Sequence, residues 1–322
     1  MNRFLLLCLA FLVVRPALAQ DPTPEQVLSG IVGIHAKAQV DARSAETLGK
    51  ERRGSGALIR EGLVLTIGYL VIEAESIQVS GHDSRTVPAT LAAYDHATGF
   101  GLLKLSAPLA GRPLPLGDAS QLAESDQAIV ATAQSNPALV EVASRRLFTG
   151  NWEYLLESAI FTSPPVADWS GAALIGRHGE LVGLGSLIVP DAGSPGTQSP
   201  GNMFVPVDLL KPILEELVAK GRRAGPARPW LGLNAEHFMG RLFVARVSPD
   251  GPAARAGLKP GDIVLGVGGE PVTTQESFYR GLWSQGAAGV EVRLRVLQGM
   301  ELKDVPVRSI DRVEYFRPSK TY

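Results

Sequence analysis

Five histidines and one cysteine bound the chemistry open to this chain of 322 residues. A cysteine-rich zinc site and a disulfide framework each need several thiols, and Cys8 stands alone. A histidine-based metal or acid–base site would have to be drawn from His35, His82, His96, His178 and His237. His35 falls in an apolar run that reads as a first strand, where a structural role is expected. His82 and His237 read as loop residues, and His178 as a solvated member of an Arg177-His178-Gly179 turn. His96 lies in the loop just before Gly99, with Asp95 beside it. No metal or organic cofactor is expected. Lys and Arg number 31 against 32 Asp and Glu, so the chain has no basic excess and no nucleic-acid partner is expected.

The elements that must position such residues are mostly strands. Gly 35 and Pro 23 favour turn-rich β structure over a helical bundle. Short apolar runs follow one another between Gly, Pro, Asp and Ser: Ile31 to Ile34, Gly56 to Ile59, Leu63 to Thr66, Ile77 to Ser80, Val87 to Ala92, Gly101 to Leu105, Ala128 to Thr132, Ala172 to Ile175 and Leu181 to Leu187. This spacing predicts antiparallel strands in a sandwich or barrel. One stretch, Val207 to Lys220, has helical periodicity. Leu209, Leu210, Ile213, Leu214, Leu217 and Val218 form its stripe, Asp208 lies near its start and Gly221 at its end.

The N-terminus reads as a secretory signal. Arg3 precedes an apolar run from Phe4 to Val14, and Ala17-Leu18-Ala19 offers small residues for cleavage after Ala19. The run is too short to span a bilayer, and no later stretch is long enough to do so. A signal peptide over 1–19 and a periplasmic or secreted product are expected, with retention as an uncut anchor the alternative. Cys8 would leave with the signal. Residues 221–228, basic and rich in Gly and Pro, read as a linker between a domain over 20–220 and a second over 229–311. Residues 312–322 read as a C-terminal tail, loose from Phe316 onward.

The second unit carries Trp230-Leu231-Gly232-Leu233, then Gly251-Pro252-Ala253-Ala254-Arg255-Ala256-Gly257-Leu258-Lys259-Pro260-Gly261-Asp262-Ile263-Val264, then Val267-Gly268-Gly269-Glu270-Pro271-Val272. Pro252 suits the first turn of a short helix and Gly257 its end. The pattern resembles a PDZ domain of the bacterial HtrA/Deg type. The resemblance implies that Trp230, Leu231, Gly232 and Leu233 form a carboxylate-binding loop whose N–H groups hold the end of a peptide. A PDZ domain that packs on its neighbour and binds nothing is the alternative.

The first unit resembles the protease domain of the same family. The resemblance rests on Gly54-Ser55-Gly56-Ala57-Leu58-Ile59, Leu63-Val64-Leu65-Thr66, the stretch Tyr94 to Leu105, Leu116-Gly117-Asp118-Ala119-Ser120, and Phe204-Val205-Pro206-Val207-Asp208-Leu209-Leu210. It implies a mainly β architecture: a trypsin-like double β-barrel, active site in the cleft, followed by the PDZ domain.

That chemistry needs a nucleophile, a base and an orienting carboxylate. By resemblance, the histidine position is Tyr69 in Thr66-Ile67-Gly68-Tyr69, and a phenol of pKa about 10 is a poor base at neutral pH. The aspartate position is Gly99. The serine position keeps Ser170, in Asp168-Trp169-Ser170-Gly171, with Asp168 where the family has an oxyanion-loop glycine. His96 could stand in as base if its loop folded inward, and Lys104 matches an ordinary structural lysine of the family. The leading expectation is a proteolytically impaired homologue that binds C-terminal or unfolded polypeptide segments in protein quality control, as a homotrimer or beside an active relative. An active serine endopeptidase using Ser170 with a non-standard base is the alternative.

Overall fold

The structure, a computed structural model, describes residues 21–318. The expected signal peptide lies outside the described residues. A first closed barrel is built from β1 (Ile31–Ala38), β2 (Glu51–Arg60), β3 (Leu63–Ile67), β4 (Ala74–Ser80), β5 (Thr86–Asp95) and β6 (Phe100–Leu105), in the order β1-β2-β3-β6-β5-β4. A second closed barrel comprises β7 (Gln127–Ala131), β8 (Ala138–Gly150), β9 (Tyr154–Ser163), β10 (Ala173–Ile175), β11 (Leu181–Val189) and β12 (Gly201–Pro206), in the order β10-β11-β12-β9-β8-β7. Closure removes the free edges that a curled antiparallel sheet would otherwise expose. In β3 all five residues are buried, which explains why Leu63 to Ile67 reads as a continuous apolar run and not as an alternation.

Short helices α1 (Pro24–Leu28) and α2 (Ala45–Leu48) flank β1. The stripe over Val207 to Lys220 does not form one helix. A 3-10 turn spans Val207–Leu209, and α3 runs only over Leu214–Lys220 before ending at Gly221, φ +71°. Pro212 accounts for the break: it has no N–H to donate and its ring collides with the carbonyl four residues back. Leu210, Ile213, Leu214 and Leu217 are buried as the stripe requires, while Leu209 and Val218 are exposed.

The third sheet contains β13 (Leu233–Phe238), β14 (Arg241–Val247), β15 (Ile263–Val267), β16 (Glu270–Pro271), β17 (Glu291–Gln298) and β18 (Glu301–Arg308), ordered β13-β14-β15-β17-β18 with β16 on β15. It packs with α4 (Pro252–Arg255) and α5 (Gln275–Trp283). Pro252 opens α4 as expected. Thr274 caps α5 by accepting from the Ser277 amide, while the Ser277 hydroxyl reaches back to the Thr274 amide. Phe278, Tyr279 and Leu282 are then the face of α5 that meets the core.

The C-terminal stretch departs from expectation. Residues 312–315 form α6 (Arg312–Tyr315), and the Pro318 carbonyl accepts from the Gln39 side chain at 2.6 Å. Tyr315 lies against Trp230, ring centroids 4.7 Å apart, with the Arg43 guanidinium over its ring, 4.4 Å from the centroid. Phe316 stacks on His96 at 5.7 Å, and the Arg317 amide donates to Glu73 at 2.8 Å. The segment straps the third sheet onto the first barrel. Its aromatic spacing carries no period that distinguishes it from a polar tail, so only the tertiary contact reveals it.

Candidate functional site

The Ser170 loop is set by a close passage between the barrels. The Ser55 amide in β2 donates to the Ser170 carbonyl at 2.8 Å, and the Ser55 carbonyl accepts from the Thr66 hydroxyl at 2.8 Å. Gly171, φ +71°, lies so close that an added Cβ would stand 2.0 Å from the Ser55 carbonyl oxygen. Its amide donates to the Gly185 carbonyl at 2.9 Å. The Gly-Ser-Gly strand and the serine loop are therefore one packed unit, and Ser170 is presented from it into the cleft.

Tyr69 reaches Ser170 from the first barrel. It sits on a 3-10 turn, Gly68–Leu70, directly after β3. Arg52 anchors that turn from beneath: its guanidinium donates to the carbonyls of Tyr69 at 3.1 Å and Ile72 at 2.7 Å. The phenol oxygen lies 2.9 Å from Ser170 Oγ and 2.8 Å from the Ser186 carbonyl oxygen. A carbonyl only accepts, so the single phenolic proton goes to Ser186. The Ser170 hydroxyl must then be the donor in its bond to Tyr69. Burial pushes the phenol up to about 12, partly offset by the contacts with Ser170 and Trp169. At pH 7 the phenol therefore stays protonated and is a poor proton acceptor.

Gly99 lines the cleft but has no side chain to supply a third member. It adopts φ +82°, and Tyr154 from β9 stands 3.4 Å from where its Cβ would be. The Tyr154 hydroxyl donates to the Thr98 carbonyl at 2.6 Å, and burial holds its pKa well above the ordinary phenol value. Asp95 turns elsewhere, accepting from Thr98 and pairing with Arg223 of the linker at 2.8 Å.

His96 is not brought to Ser170. It lies between Tyr94, 4.2 Å between centroids, and Phe316, and its Nδ1 finds no partner among the described residues. Burial, then the charge of Arg312, holds its pKa well below the usual imidazole value, so the ring is neutral. Asp168 is exposed and does not line the cleft, whereas Trp169 does. The cleft has a volume of about 490 Å³ and is walled by aromatic groups, including Trp152, Tyr154, Trp169 and Trp230, with Tyr69 and Ser170 at its base. No cluster of metal-ligating groups occurs among the described residues.

Changing Tyr69 to Phe isolates the role of the hydroxyl. It leaves the Ser186 carbonyl and the Ser170 hydroxyl short of a partner, so a loss of about 1–3 kcal/mol in unfolding free energy is expected. If the phenol does not act as a base, casein cleavage by Tyr69→Phe should match that of the parent protein. A turnover that falls with Tyr69→Phe would identify it as one.

In the loop Trp230-Leu231-Gly232-Leu233, Gly232 adopts φ +77°. The loop amides converge on a carboxylate belonging to the second barrel. Glu153, at the tip between β8 and β9, accepts from the amides of Leu231 at 3.1 Å, Gly232 at 2.7 Å and Leu233 at 2.9 Å. Trp230 instead packs on Tyr315 and bonds through its backbone to Ile310. Glu153 is buried, and burial pushes its pKa up to about 7 against the opposing pull of the Leu233 and Leu231 amides, Arg312 and the Gly232 amide. Residue-level reading of the sequence misses Glu153, Tyr154, Arg52 and Ser186. For Glu153 one signal was present: an acidic residue inside the run Trp152-Glu153-Tyr154-Leu155-Leu156, where ionised groups are rare unless partnered.

Comparison with known proteins agrees with both units. A trypsin-like peptidase domain family matches residues 54–184, and a PDZ domain family matches residues 243–298. The chain is 29% identical over 284 residues to a protein of Halomonas elongata named probable periplasmic serine endoprotease DegP-like, covering 80% of this chain and 56% of that one. It is 26% identical over 264 residues to the serine protease Do-like HtrA of Lactobacillus helveticus, covering 72% and 62% respectively. The chain thus spans somewhat more than half the length of these relatives. Among solved structures, an HtrA-type protease, AlgW, with a decapeptide superposes with a TM-score of 0.54 at 18% identity, covering 91% of this chain and 97% of that one. The fold is a trypsin-like double barrel followed by a PDZ domain.

Proposed function

We propose that this chain, which pairs a trypsin-like peptidase domain with a PDZ domain as HtrA-type proteases do, holds polypeptide without cutting it. The observation that carries the reading is the Tyr69 bond to Ser170. The place of the base is filled by a phenol whose proton is committed to the Ser186 carbonyl and whose pKa lies near 12. Gly99 has no side chain to orient a base. A serine hydroxyl lacking both partners keeps only the small acceleration that binding and backbone donors supply.

Its ligands are then chain ends or unfolded segments, engaged through the PDZ groove in protein quality control. Peptide complexes of the HtrA-type protease AlgW support this reading by analogy of fold. The names of the curated relatives support a periplasmic location, and no helix among the described residues is long and apolar enough to cross a membrane. Assembly as a homotrimer, or with an active relative, is part of the same reading.

The test compares purified protein with a Ser170→Ala variant on unfolded casein, and exposes both to a serine-directed fluorophosphonate. Cleavage at background in both proteins and no adduct are expected. Casein cleavage that disappears with Ser170→Ala would establish the rival, an active endopeptidase with a non-standard base.

A further inference from the structure

The PDZ groove of this chain is not empty. Its edge strand β13 pairs with β14 on one side, and its other side faces α5. A bound peptide would add to that free edge and place its terminal carboxylate on the loop amides. The β8–β9 tip does both. The Ala235 amide of β13 donates to the Asn151 carbonyl at 3.2 Å. The Glu153 carboxylate takes the three amides of Leu231, Gly232 and Leu233.

Further contacts fix the tip in place. Tyr279 of α5 donates its hydroxyl to the Gly150 carbonyl at 2.7 Å and accepts from the Glu153 amide at 3.2 Å. Arg280 of α5 holds Glu157 of β9 through two bonds, 2.9 and 2.8 Å. Leu155 is buried in the apolar core of the PDZ domain, and Leu147 packs against it. Glu153 itself is held at φ +59°, a conformation that residues with a side chain seldom adopt. Such strain persists where surrounding contacts over-determine it.

We propose that the β8–β9 tip is the resident ligand of the PDZ groove, with Glu153 standing in for a chain-terminal carboxylate, so that an external chain end binds only by displacing it. The inference rests on reading the groove as a peptide site, and it assigns that site's regulation. In the docked state the loop amides are satisfied and the edge of β13 is engaged. An incoming peptide must supply the same carboxylate and the same main-chain bond. Its apparent affinity is reduced by the fraction of molecules in which the tip is undocked. Displacement also frees the tip that joins β8 and β9, in the barrel that contributes Ser170.

The experiment uses the full chain, as wild type, Glu153→Ala and Tyr279→Phe. The last weakens the docked tip from the PDZ side and keeps the ring in the core. Thermal melts establish that each variant is folded. Amide hydrogen exchange is followed at Leu231, Gly232 and Leu233, and a library of free-carboxylate decapeptides is titrated beside its amidated counterparts. In both variants exchange at the three amides should rise by about tenfold or more, and free-carboxylate peptides should bind about tenfold tighter than to wild type, with amidated peptides unaffected. Equal exchange in wild type and both folded variants overturns the proposal. So does wild type that binds free-carboxylate peptides as tightly as the variants, although peptide recognition itself would then stand. Faster exchange in the variants with no peptide bound by any of the proteins upholds the resident ligand and refutes the peptide-binding reading.

Discussion

Gly171→Ala should unfold the junction between the barrels, at a loss of about 2–5 kcal/mol. Two costs combine. Gly171 sits at φ +71°, where a Cβ costs about 1–2 kcal/mol. The added methyl would also lie 2.0 Å from the Ser55 carbonyl oxygen and 2.8 Å from the Thr66 hydroxyl. Neither atom can retreat cheaply. Ser55 and Thr66 are fully buried, and the two oxygens bond to each other. Forcing them apart adds about 1–3 kcal/mol of overpacking. Gly62→Ala is the control, because Gly62 shares the positive φ, +69°, with nothing within 4 Å of its would-be Cβ. A fall in melting temperature of about 10 °C or more is expected for Gly171→Ala, and only a few degrees for Gly62→Ala. Equal falls would mean that the close passage beside Ser170 is not where the strain lies.

Arg52→Met should cost a similar amount, about 3–5 kcal/mol, although the side chain never touches the cleft. Arg52 is 5% exposed and spends its donors on the carbonyls of Gly49, Tyr69 and Ile72 and on the Ser44 hydroxyl. Its surroundings are ambivalent: burial lowers its pKa, and the nearby Glu73 raises it. Methionine fills the volume and satisfies none of these acceptors. It leaves Glu73, itself 1% exposed, without the cation that faces it. The turn carrying Tyr69 loses two anchoring bonds, so the Tyr69–Ser170 contact should loosen along with stability. Arg52→Lys should recover only part of the loss, since one ammonium cannot span the acceptors reached by a guanidinium fork. Denaturant midpoints of the three proteins check this, and a loss below about 1 kcal/mol for Arg52→Met would show that the buried cation is dispensable.

The sequence exposed the fold through features that are local. Leu63 to Ile67 announces a strand because burial on both faces leaves a nearly continuous apolar run, and Gly101 to Leu105 does so with only Lys104 exposed. Pro252 and Gly232 announce backbone geometry because few other residues adopt it so readily. The 13-residue strand β8 was harder to see, because half-buried Arg145 and Arg146 interrupt its pattern. The apparent helix over Val207 to Lys220 fails for a reason also present in the sequence: Pro212 interrupts the stripe.

The site divides along the same line. That Tyr69 and Gly99 occupy the family's triad positions could be inferred from motif order. That Tyr69 donates to Ser186 could not, since the partner lies 117 residues away and is a backbone carbonyl. Glu153 is the sharper case. Its partners are the amides of Leu231, Gly232 and Leu233, and backbone amides carry no trace of residue type. Only the fold, by bringing the β8–β9 tip across to the third sheet, creates the contact.

A ligand tethered to its own receptor is never diluted. Glu153 faces the PDZ loop at an effective concentration set by the chain, of order millimolar or higher for short connections, whatever the amount of protein in solution. Scattered chain ends of modest affinity, each at a low free concentration, lose that contest. Ends that arrive clustered, on an assembly or an aggregate, raise their own local concentration and win it. The groove would thus respond to the crowding of exposed chain ends rather than to their number, with its set point written in the strength of three backbone hydrogen bonds to one glutamate.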